Sequence, residues 1–336
     1  KNMTPTGHKN NKSYLITGGT GSIGSEIARS LIASGAKNLT IFSRDDSKHF
    51  YLQEEFGKHK NIRYIIGDVR DRNSLAVAFE DRVDIVIHAA ALKHVLICEQ
   101  NPAEAVKTNI IGTQNVVDLA KRAEAQTMIT ISTDKAVNPS STMGASKYIA
   151  EKLTLDGNST GKTIFSCVRF GNVLGSRGSV IPNMLKGIRE RGVLWISNKT
   201  VTRFAMPIPD AARLVLNATE ACQGGEIFVL KMKTFSLGQL IEVMRDMKFS
   251  DKEFKIETRG VIDAEKIHEE LISIEEANRL WETDTHFVIA PREAWEPRSK
   301  MRKASVVGYS SEDAEMFTNQ RLREHIEECA ASLGIE

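Results

Sequence analysis

The stretch YLITGGTGSIGSEIA, residues 14–28, constrains the fold more than any other part of the chain. A short apolar run ends in a glycine cluster, and the cluster opens an amphipathic segment that closes at Gly35. Gly19-x-Gly21-x-x-Gly24 fits one phosphate-loop spacing, and Gly18-x-x-Gly21-x-x-Gly24 fits a closely related one. Both lie between a predicted strand and a predicted helix, which is the setting the motif needs. Glycines there let the backbone approach a pyrophosphate, whose charge meets the helix N-terminus. Gly18, Thr20, Gly21, Ser22, Ile23 and Gly24 are therefore candidate contacts to a bound dinucleotide.

The rhythm continues through NLTIFSR, IRYIIGD, VDIVIHAA, TMITIST and IFSCVRFGN, each apolar and rich in β-branched residues. Helical stretches lie between them, among them a long one over 103–125. Near-continuous apolar strands alternating with helices predict an α/β fold, a doubly wound parallel sheet covered on both faces. Ligands then sit at the carboxyl ends of the strands. A chain of 336 residues is long enough for one such domain and a smaller lobe.

Residues 13–172 read as the dinucleotide-binding domain, with 205–230 returning to it through a helix over 209–221. Residues 173–204 and 231–336 read as a smaller C-terminal substrate-binding lobe. The tail SSEDAEMFTNQRLREHIEECAASLG places a Ser cap and acidic residues ahead of a terminal helix. Residues 1–12 are polar, without the apolar segment of a signal peptide, and read as a flexible arm; a first residue other than Met hints at trimming.

A net charge of only +2, with no basic stripe interleaved with aromatics, argues against a nucleic-acid partner. No run of about 18 apolar residues predicts a membrane span. Cys98, Cys167, Cys222 and Cys329 are scattered, with no C-x-x-C pair, so no metal site is expected and a cytoplasmic protein is.

The second strand bears on which dinucleotide. It ends IFSRDDSKH, where Arg44 and Lys48 can pair with a 2′-phosphate and Ser43 can donate to it. This favours NADP, while Asp45, a possible acceptor for a ribose hydroxyl, keeps NAD open. Asp68 and Val69 follow the third strand, where a carboxylate can accept from an adenine amino group. Ala89, Ala90 and Ala91 follow the fourth and allow close approach, while His88 reads as a core histidine.

The chemistry is expected in ISTDKAVNPSSTMGASK, residues 131–147. A strand ends in Ser132-Thr133, Asp134 and Lys135 follow, and Met143 stands four residues before Lys147. In a very large class of dehydrogenases the position of Met143 is a tyrosine that takes a proton from a substrate hydroxyl; methionine cannot. Asp134 and Lys135 are by type an acid and a base side by side at the strand end. One of them needs a shifted pKa, Asp raised or Lys lowered; burial favours both shifts and their mutual attraction opposes both.

Together with HAAALKHV, NPAEAVKTNIIGTQNV, RFGNVLGSRGSVIP, TRF and EKIHEELI, these motifs make residues 14–271 resemble the extended short-chain dehydrogenase/reductase superfamily. More narrowly the chain resembles the UDP-N-acetylglucosamine 4,6-dehydratases of the CapD-like polysaccharide-biosynthesis group, a subset of which carries methionine at this position. The resemblance implies a Rossmann fold that binds NADP and UDP-N-acetylglucosamine. The reaction it implies is C4 oxidation, loss of water across C5–C6 and hydride return to C6. It implies Thr133 at O4, Asp134 as acid to O6, Lys135 as base at C5 and Lys147 on the nicotinamide ribose. The O4 proton leaves through Asp134, Lys135 or a water.

The resemblance also implies cofactor contacts from Lys93 and Asn109. Substrate contacts are implied from Lys93, Asn172, Arg177, Ser179, Val180, Arg203 and Glu265. Met143 inclines the expected outcome to retention at C5, by analogy. A homo-oligomer is expected. Leu96, Gln100, Ala205 and Asp263-Ala264 depart from the family pattern and bear on the substrate lobe. The alternatives are a nucleotide-sugar 4-epimerase or reductase, or a non-catalytic NADP-binding protein.

Overall fold

The computed structural model describes residues 11–176, 178–247, 254–258, 260, 264–292, 295–298, 300–332 and 334. Arg177, Asp263 and most of the expected arm lie outside them. A ten-stranded sheet forms the centre. From β1 (Ser13–Thr17) the order runs through β2 (Asn38–Ser43) to β3 (Ile62–Ile66) on one side. On the other side it runs through β4 (Ile85–His88) and β5 (Thr127–Thr133) to β6 (Ile164–Phe170). All these pairings are parallel. The order reverses between β1 and β4, so their carboxyl ends open a crevice for a ligand.

Alternation along the strands builds two cores. Leu15, Val86 and Met128 enter one with Val116 and Leu119, while Ile16, Ile87 and Ile129 enter the other with Ile27 and Val215. Every residue of β1 is buried, as a strand covered on both faces requires. α1 (Ser22–Ala33) leaves the glycine loop and ends before Gly35, whose φ of +73° suits glycine. α2 (Asp46–Phe56) is capped by Asp45, and α3 (Arg72–Ala76) by Asp71.

The helix expected over 103–125 is divided. After α4 (Val95–Gln100), α5 (Pro102–Ala105) passes into a π-helical turn, Val106–Ile111, and then into α6 (Gly112–Arg122). The wider turn sets Asn109 against the loop after β4, where it accepts from Leu92 N–H at 2.8 Å and donates to Leu92 C=O at 3.0 Å. A Cβ on Gly112 would lie 2.7 Å from Val69 Cγ2, so only glycine fits where α6 crosses Val69. α7 (Thr142–Asp156) follows β5 and is capped by Ser141.

Beyond β6 the lobe begins with β7 (Asn172–Leu174), α8 (Val180–Arg191), β8 (Val193–Ile196) and β9 (Thr202–Pro207). α9 (Ile208–Ala221) then returns to pack on α1, as expected for 209–221. β10 (Ile227–Leu230) pairs in parallel with β6. β11 (Lys233–Ser236), α10 (Leu237–Asp246) and β12 (Lys255–Thr258) return to the lobe, where β9 and β11 share a three-stranded sheet with β7.

β13 (Glu270–Ile272) and α11 (Ile274–Ala277) follow. β14 (Leu280–Glu282), β15 (His286–Ile289) and β16 (Arg302–Lys303) then extend the main sheet antiparallel. This corrects the expectation that all of 231–336 belongs to the lobe: long-range pairing with β10, invisible in local pattern, decides the place of these strands. The expected Ser cap of the last helix is also corrected. Tyr309–Ser310 form β17 against β13. α12 (Asn319–Ser332) starts later, where Thr318 accepts from Arg321 N–H at 3.2 Å.

One buried ion cluster joins these parts. Arg169 of β6, only 2% exposed, donates two hydrogen bonds to Glu151 of α7, two to Glu276 of α11 and one to the Leu271 carbonyl of β13. Burial alone would lower the Arg169 pKa, but the two carboxylates outweigh it and raise it. Removing one partner leaves buried charge uncompensated, so Glu151→Ala should cost about 3–5 kcal/mol in denaturant unfolding.

Candidate active site

The crevice is a cavity of about 530 Å³. Gly18, Thr20 and Gly21 line its floor, Ser43 and Arg44 the end of β2, Lys48 the first turn of α2, Asp68 and Val69 the end of β3, and Ala89, Ala90 and Ala91 the end of β4. Gly18 has φ +68°, and a Cβ there would lie 2.7 Å from Ala90 N; a Cβ on Gly24 would lie 2.5 Å from Gly18 O. Gly21 caps α1 with no side-chain hydrogen bond, so the helix opens on the cavity without a built-in acceptor. The floor and walls thus fit a dinucleotide laid across the strand ends.

Several predicted contacts stand elsewhere. Ser22 lines an adjoining hollow, Ile23 packs on the core and Lys93 is exposed. Asn109 latches Leu92 and also donates to Ser146 Oγ at 2.9 Å, which makes it a brace for the loop after β4. His88 is a satisfied core histidine as expected: Thr17 Oγ1 lies 2.7 Å from one ring nitrogen and Thr113 Oγ1 2.9 Å from the other. Burial, with Lys147 nearby, pushes its pKa down to about 3, so the ring is neutral.

The adenosine end is more heavily paired than the sequence reading implies. Lys48 pairs with Asp45, and Arg44 lies 3.5 Å from Asp68. Burial would raise the Asp68 pKa, but Arg70, helped by Arg44, holds the carboxyl below its ordinary range. Thr108, which the sequence reading overlooks, comes from the π-helical turn into the cavity lining. Its hydroxyl is buried without a hydrogen-bond partner.

At the end of β5 the expected catalytic residues meet. Thr133 Oγ1 donates to Asp134 Oδ1 at 2.8 Å, and Lys135 Nζ donates to the same oxygen at 3.0 Å. Asp134 and Lys135 sit in a 3₁₀ turn, Asp134–Ala136. A Cβ on Gly144 would lie 2.2 Å from the Lys135 carbonyl, so the first turn of α7 packs directly on that backbone. The opposition foreseen between burial and charge is resolved at the lysine. Burial works to lower its pKa, yet Asp134 and Glu269 raise it against both burial and Arg203. Lys135 is therefore a cation, contrary to the lowered lysine that one branch of the sequence reading requires.

Met143 is 3% exposed and packs in a small apolar cluster with Cys98 and Ala105, flanked by Leu92 and Val95. Lys147, one turn on, is buried and donates to the Ile131 carbonyl at 2.7 Å. Burial lowers its pKa, with Cys167 and Glu151 opposing.

On the lobe side, Asn172 opens β7, Ser179 stands just before α8 without a side-chain capping bond, and Val180 begins the helix. Arg203 and Glu265, both expected as substrate contacts, pair with each other at 2.8 Å. Arg203 also donates to the carbonyls of Thr202 and Ile267. Glu269 is a further residue missed in sequence: it reaches Lys135 at 3.2 Å. The EKIHEELI motif contains it, but nothing local in that motif reveals a partner far back in the chain. Ser132 Oγ, Asp134 Oδ2, Ser179 Oγ, Glu265 Oε2 and Glu269 Oε2 are buried without hydrogen-bond partners. Unsatisfied buried polar atoms are uncommon, and a site that binds a polar ligand is one place where they persist.

Among the described residues no His, Cys, Asp or Glu cluster could hold a metal ion, and no helix is long and apolar enough to cross a membrane.

Comparison with known proteins places this geometry. The polysaccharide biosynthesis protein family matches residues 14–291. An uncharacterised membrane protein of Methanocaldococcus jannaschii is 42% identical over 325 residues, 94% of this chain and 96% of that protein. A UDP-N-acetylglucosamine 4,6-dehydratase (inverting) of Campylobacter jejuni is 40% identical over 287 residues, 84% of each. A UDP-glucose 4-epimerase of Rickettsia bellii is 40% identical over 285 residues, 83% of this chain and 82% of that one. The X-ray structure of Pen from Bacillus thuringiensis superposes with a TM-score of 0.88 at 37% identity, covering 96% of this chain and 98% of that one.

The orphaned Thr108 hydroxyl gives a direct check of the cavity. Thr108→Val should leave thermal stability unchanged or raised, because no protein hydrogen bond is lost. It should weaken dinucleotide binding about tenfold, read by calorimetric titration.

Proposed function

This chain belongs to the polysaccharide biosynthesis protein family, and from that premise we propose that it is a UDP-N-acetylglucosamine 4,6-dehydratase that uses NADP. The observation that carries the reading is the hydrogen-bonded set Thr133, Asp134 and Lys135 at the end of β5. A 4-epimerase has to move one proton at O4, whereas elimination across C5–C6 needs an acid and a base together. The second reading, a nucleotide-sugar 4-epimerase, is favoured by the epimerase relative of similar identity.

A nicotinamide dinucleotide, once bound, supplies a reversible hydride acceptor. The lining of the crevice would hold it, with Ser43, Arg44 and Lys48 toward the adenosine end; Lys147, outside that lining, is assigned to the nicotinamide ribose by the reading proposed. NADP rather than NAD is supported by the two cations after β2, although solved structures of the same fold have been obtained with NAD. Cofactor released by denaturing the purified protein and weighed by mass spectrometry decides between them.

In the reading proposed, Thr133 orients O4, Asp134 gives a proton to O6 as water leaves, and Lys135 takes the C5 proton. Met143 has no proton to exchange, so the O4 proton leaves through Asp134, Lys135 or a water. Lys93, Asn172, Arg177, Ser179, Val180, Arg203 and Glu265 are the substrate contacts of this reading. Retention at C5 is proposed on the strength of Met143, although the Campylobacter relative is named inverting.

A homo-oligomer is supported by exposed apolar side chains at Leu96, Ile97, Val106, Ile111, Tyr148 and Ile149. A cytoplasmic location is supported by four free, buried cysteines.

Incubation with UDP-N-acetylglucosamine should yield a product lighter by one water, seen by mass spectrometry; a product of unchanged mass would favour epimerisation. Asp134→Asn should lower that turnover about 100-fold or more.

A further inference from the structure

Three acidic groups and two basic ones meet around the end of β5. Lys135 lies between Asp134 and Glu269, at 3.0 and 3.2 Å. Arg203, whose like charge disfavours the cation at Lys135, is paired with Glu265. One carboxylate is therefore in excess in a largely buried place, and uncompensated buried charge is costly. One additional proton relieves it.

The three central groups differ in access. The Lys135 side chain is 22% exposed, those of Asp134 and Glu269 only 0% and 3%. Lys135 is thus the most exposed of the three, and Glu269 reaches it from the buried side. Each carboxylate keeps one buried oxygen without a partner, Asp134 Oδ2 and Glu269 Oε2. The Glu269 carboxylate is not what docks its own segment. Glu269 N–H donates to Ser311 Oγ at 2.9 Å, and Ser311 N–H to the Glu269 carbonyl at 2.8 Å. Lys266 Nζ donates to the Val137 carbonyl, and Asn138 Nδ2 to Glu270.

We propose that Glu269 is the proton acceptor for Lys135, a positioning residue that acts through the lysine and never touches substrate. This rests on the dehydratase reading for the identity of the substrate proton. A lysine that is a cation at rest cannot abstract a proton until it gives one up. Asp134 cannot receive it while Asp134 itself holds the proton destined for O6.

Glu269 resolves the conflict. The Nζ–H bond breaks, its proton forms an O–H bond at Glu269 Oε1, and the nitrogen keeps the electron pair. That pair forms a new N–H bond with the C5 proton, while the C5–H electrons pass into the enolate of the 4-keto sugar. The enolate electrons then form the C5–C6 double bond as the C4 carbonyl re-forms, the Asp134 proton bonds to O6, and water departs with the C6–O6 electrons. Each carboxylate then has one task.

The test compares holoenzyme of wild type, Glu269→Gln and Glu269→Asp. Glu269→Gln should turn over about 100-fold more slowly, with KM within about threefold of wild type. Reduction of the bound cofactor on mixing with substrate should persist, because that step precedes the elimination. Lys135 itself is titrated by reductive methylation across pH, read peptide by peptide in the mass spectrometer. Its half-labelling pH should fall by about one unit in Glu269→Gln, since a neighbouring anion is gone. Glu269→Asp should keep more turnover than Glu269→Gln.

Wild-type turnover in Glu269→Gln, loss of cofactor reduction in step with turnover, or an unmoved Lys135 midpoint would each overturn the proposal. Should Glu269→Gln not fold, Glu269→Asp decides: a carboxylate withdrawn by one methylene should slow turnover while cofactor reduction persists, and wild-type turnover there is equally fatal. A wild-type enzyme that releases no water overturns the dehydratase reading instead, and the Lys135 midpoint then judges the lysine–glutamate coupling alone.

Discussion

The buried guanidinium of Arg169 is the interaction on which the rest of the site depends. It is bound at once by Glu151 on α7, by Glu276 on α11 and by the Leu271 carbonyl on β13. α7 carries Met143 and Lys147, and Leu271 lies two residues after Glu269. One side chain on β6 therefore fixes both the helix that backs the strand end and the lobe segment that delivers Glu269. A buried charge shared this way adds little net stability, but its loss is costly, so it fixes geometry more than it strengthens the fold.

From that anchor the site divides into a rigid half and a polar half. The rigid half is made by close backbone approach: Gly18 against Ala90, Gly24 against Gly18 and Gly144 against Lys135. None of these places admits a Cβ without movement, which holds the crevice floor and the catalytic turn to a single arrangement. The polar half is the Thr133, Asp134, Lys135 and Glu269 chain, whose unpartnered oxygens leave hydrogen-bonding capacity. Met143 belongs to neither half. Packed with Cys98 and Ala105, it makes an apolar wall where a tyrosine hydroxyl would otherwise bring a titratable group. In the reading proposed, proton transfer is thereby left to the strand end.

Much of this is legible in the sequence because it is local. The strand, glycine loop and helix over 14–33 follow from spacing, and the strands follow from apolar runs covered on both faces. Asp134 and Lys135 adjoin in sequence, so their pairing is near to hand. What escapes the sequence is long-range or depends on competition between terms. The antiparallel strands β14 to β16 join the main sheet through β10, and Glu269 finds Lys135 across more than a hundred residues. Arg203 and Glu265 satisfy each other, a choice that local pattern does not reveal. The π-helical turn that frees Asn109 to hold Leu92 looks, in sequence, like uninterrupted helix. The charge of Lys135 is a balance of opposed effects, in which Asp134 and then Glu269, the latter unseen in sequence, outweigh burial and Arg203.

The central claim is that the strand-end cluster removes and returns a carbon-bound proton during loss of water. An NMR time course with UDP-N-acetylglucosamine in D₂O tests it most directly. A 4-keto-6-deoxy product carrying deuterium at C5 is the predicted result, and its coupling pattern also reports whether C5 keeps its configuration. Substrate recovered unchanged from an enzyme with cofactor bound, or a product epimerised at C4 that retains its C6 hydroxyl, would contradict the account.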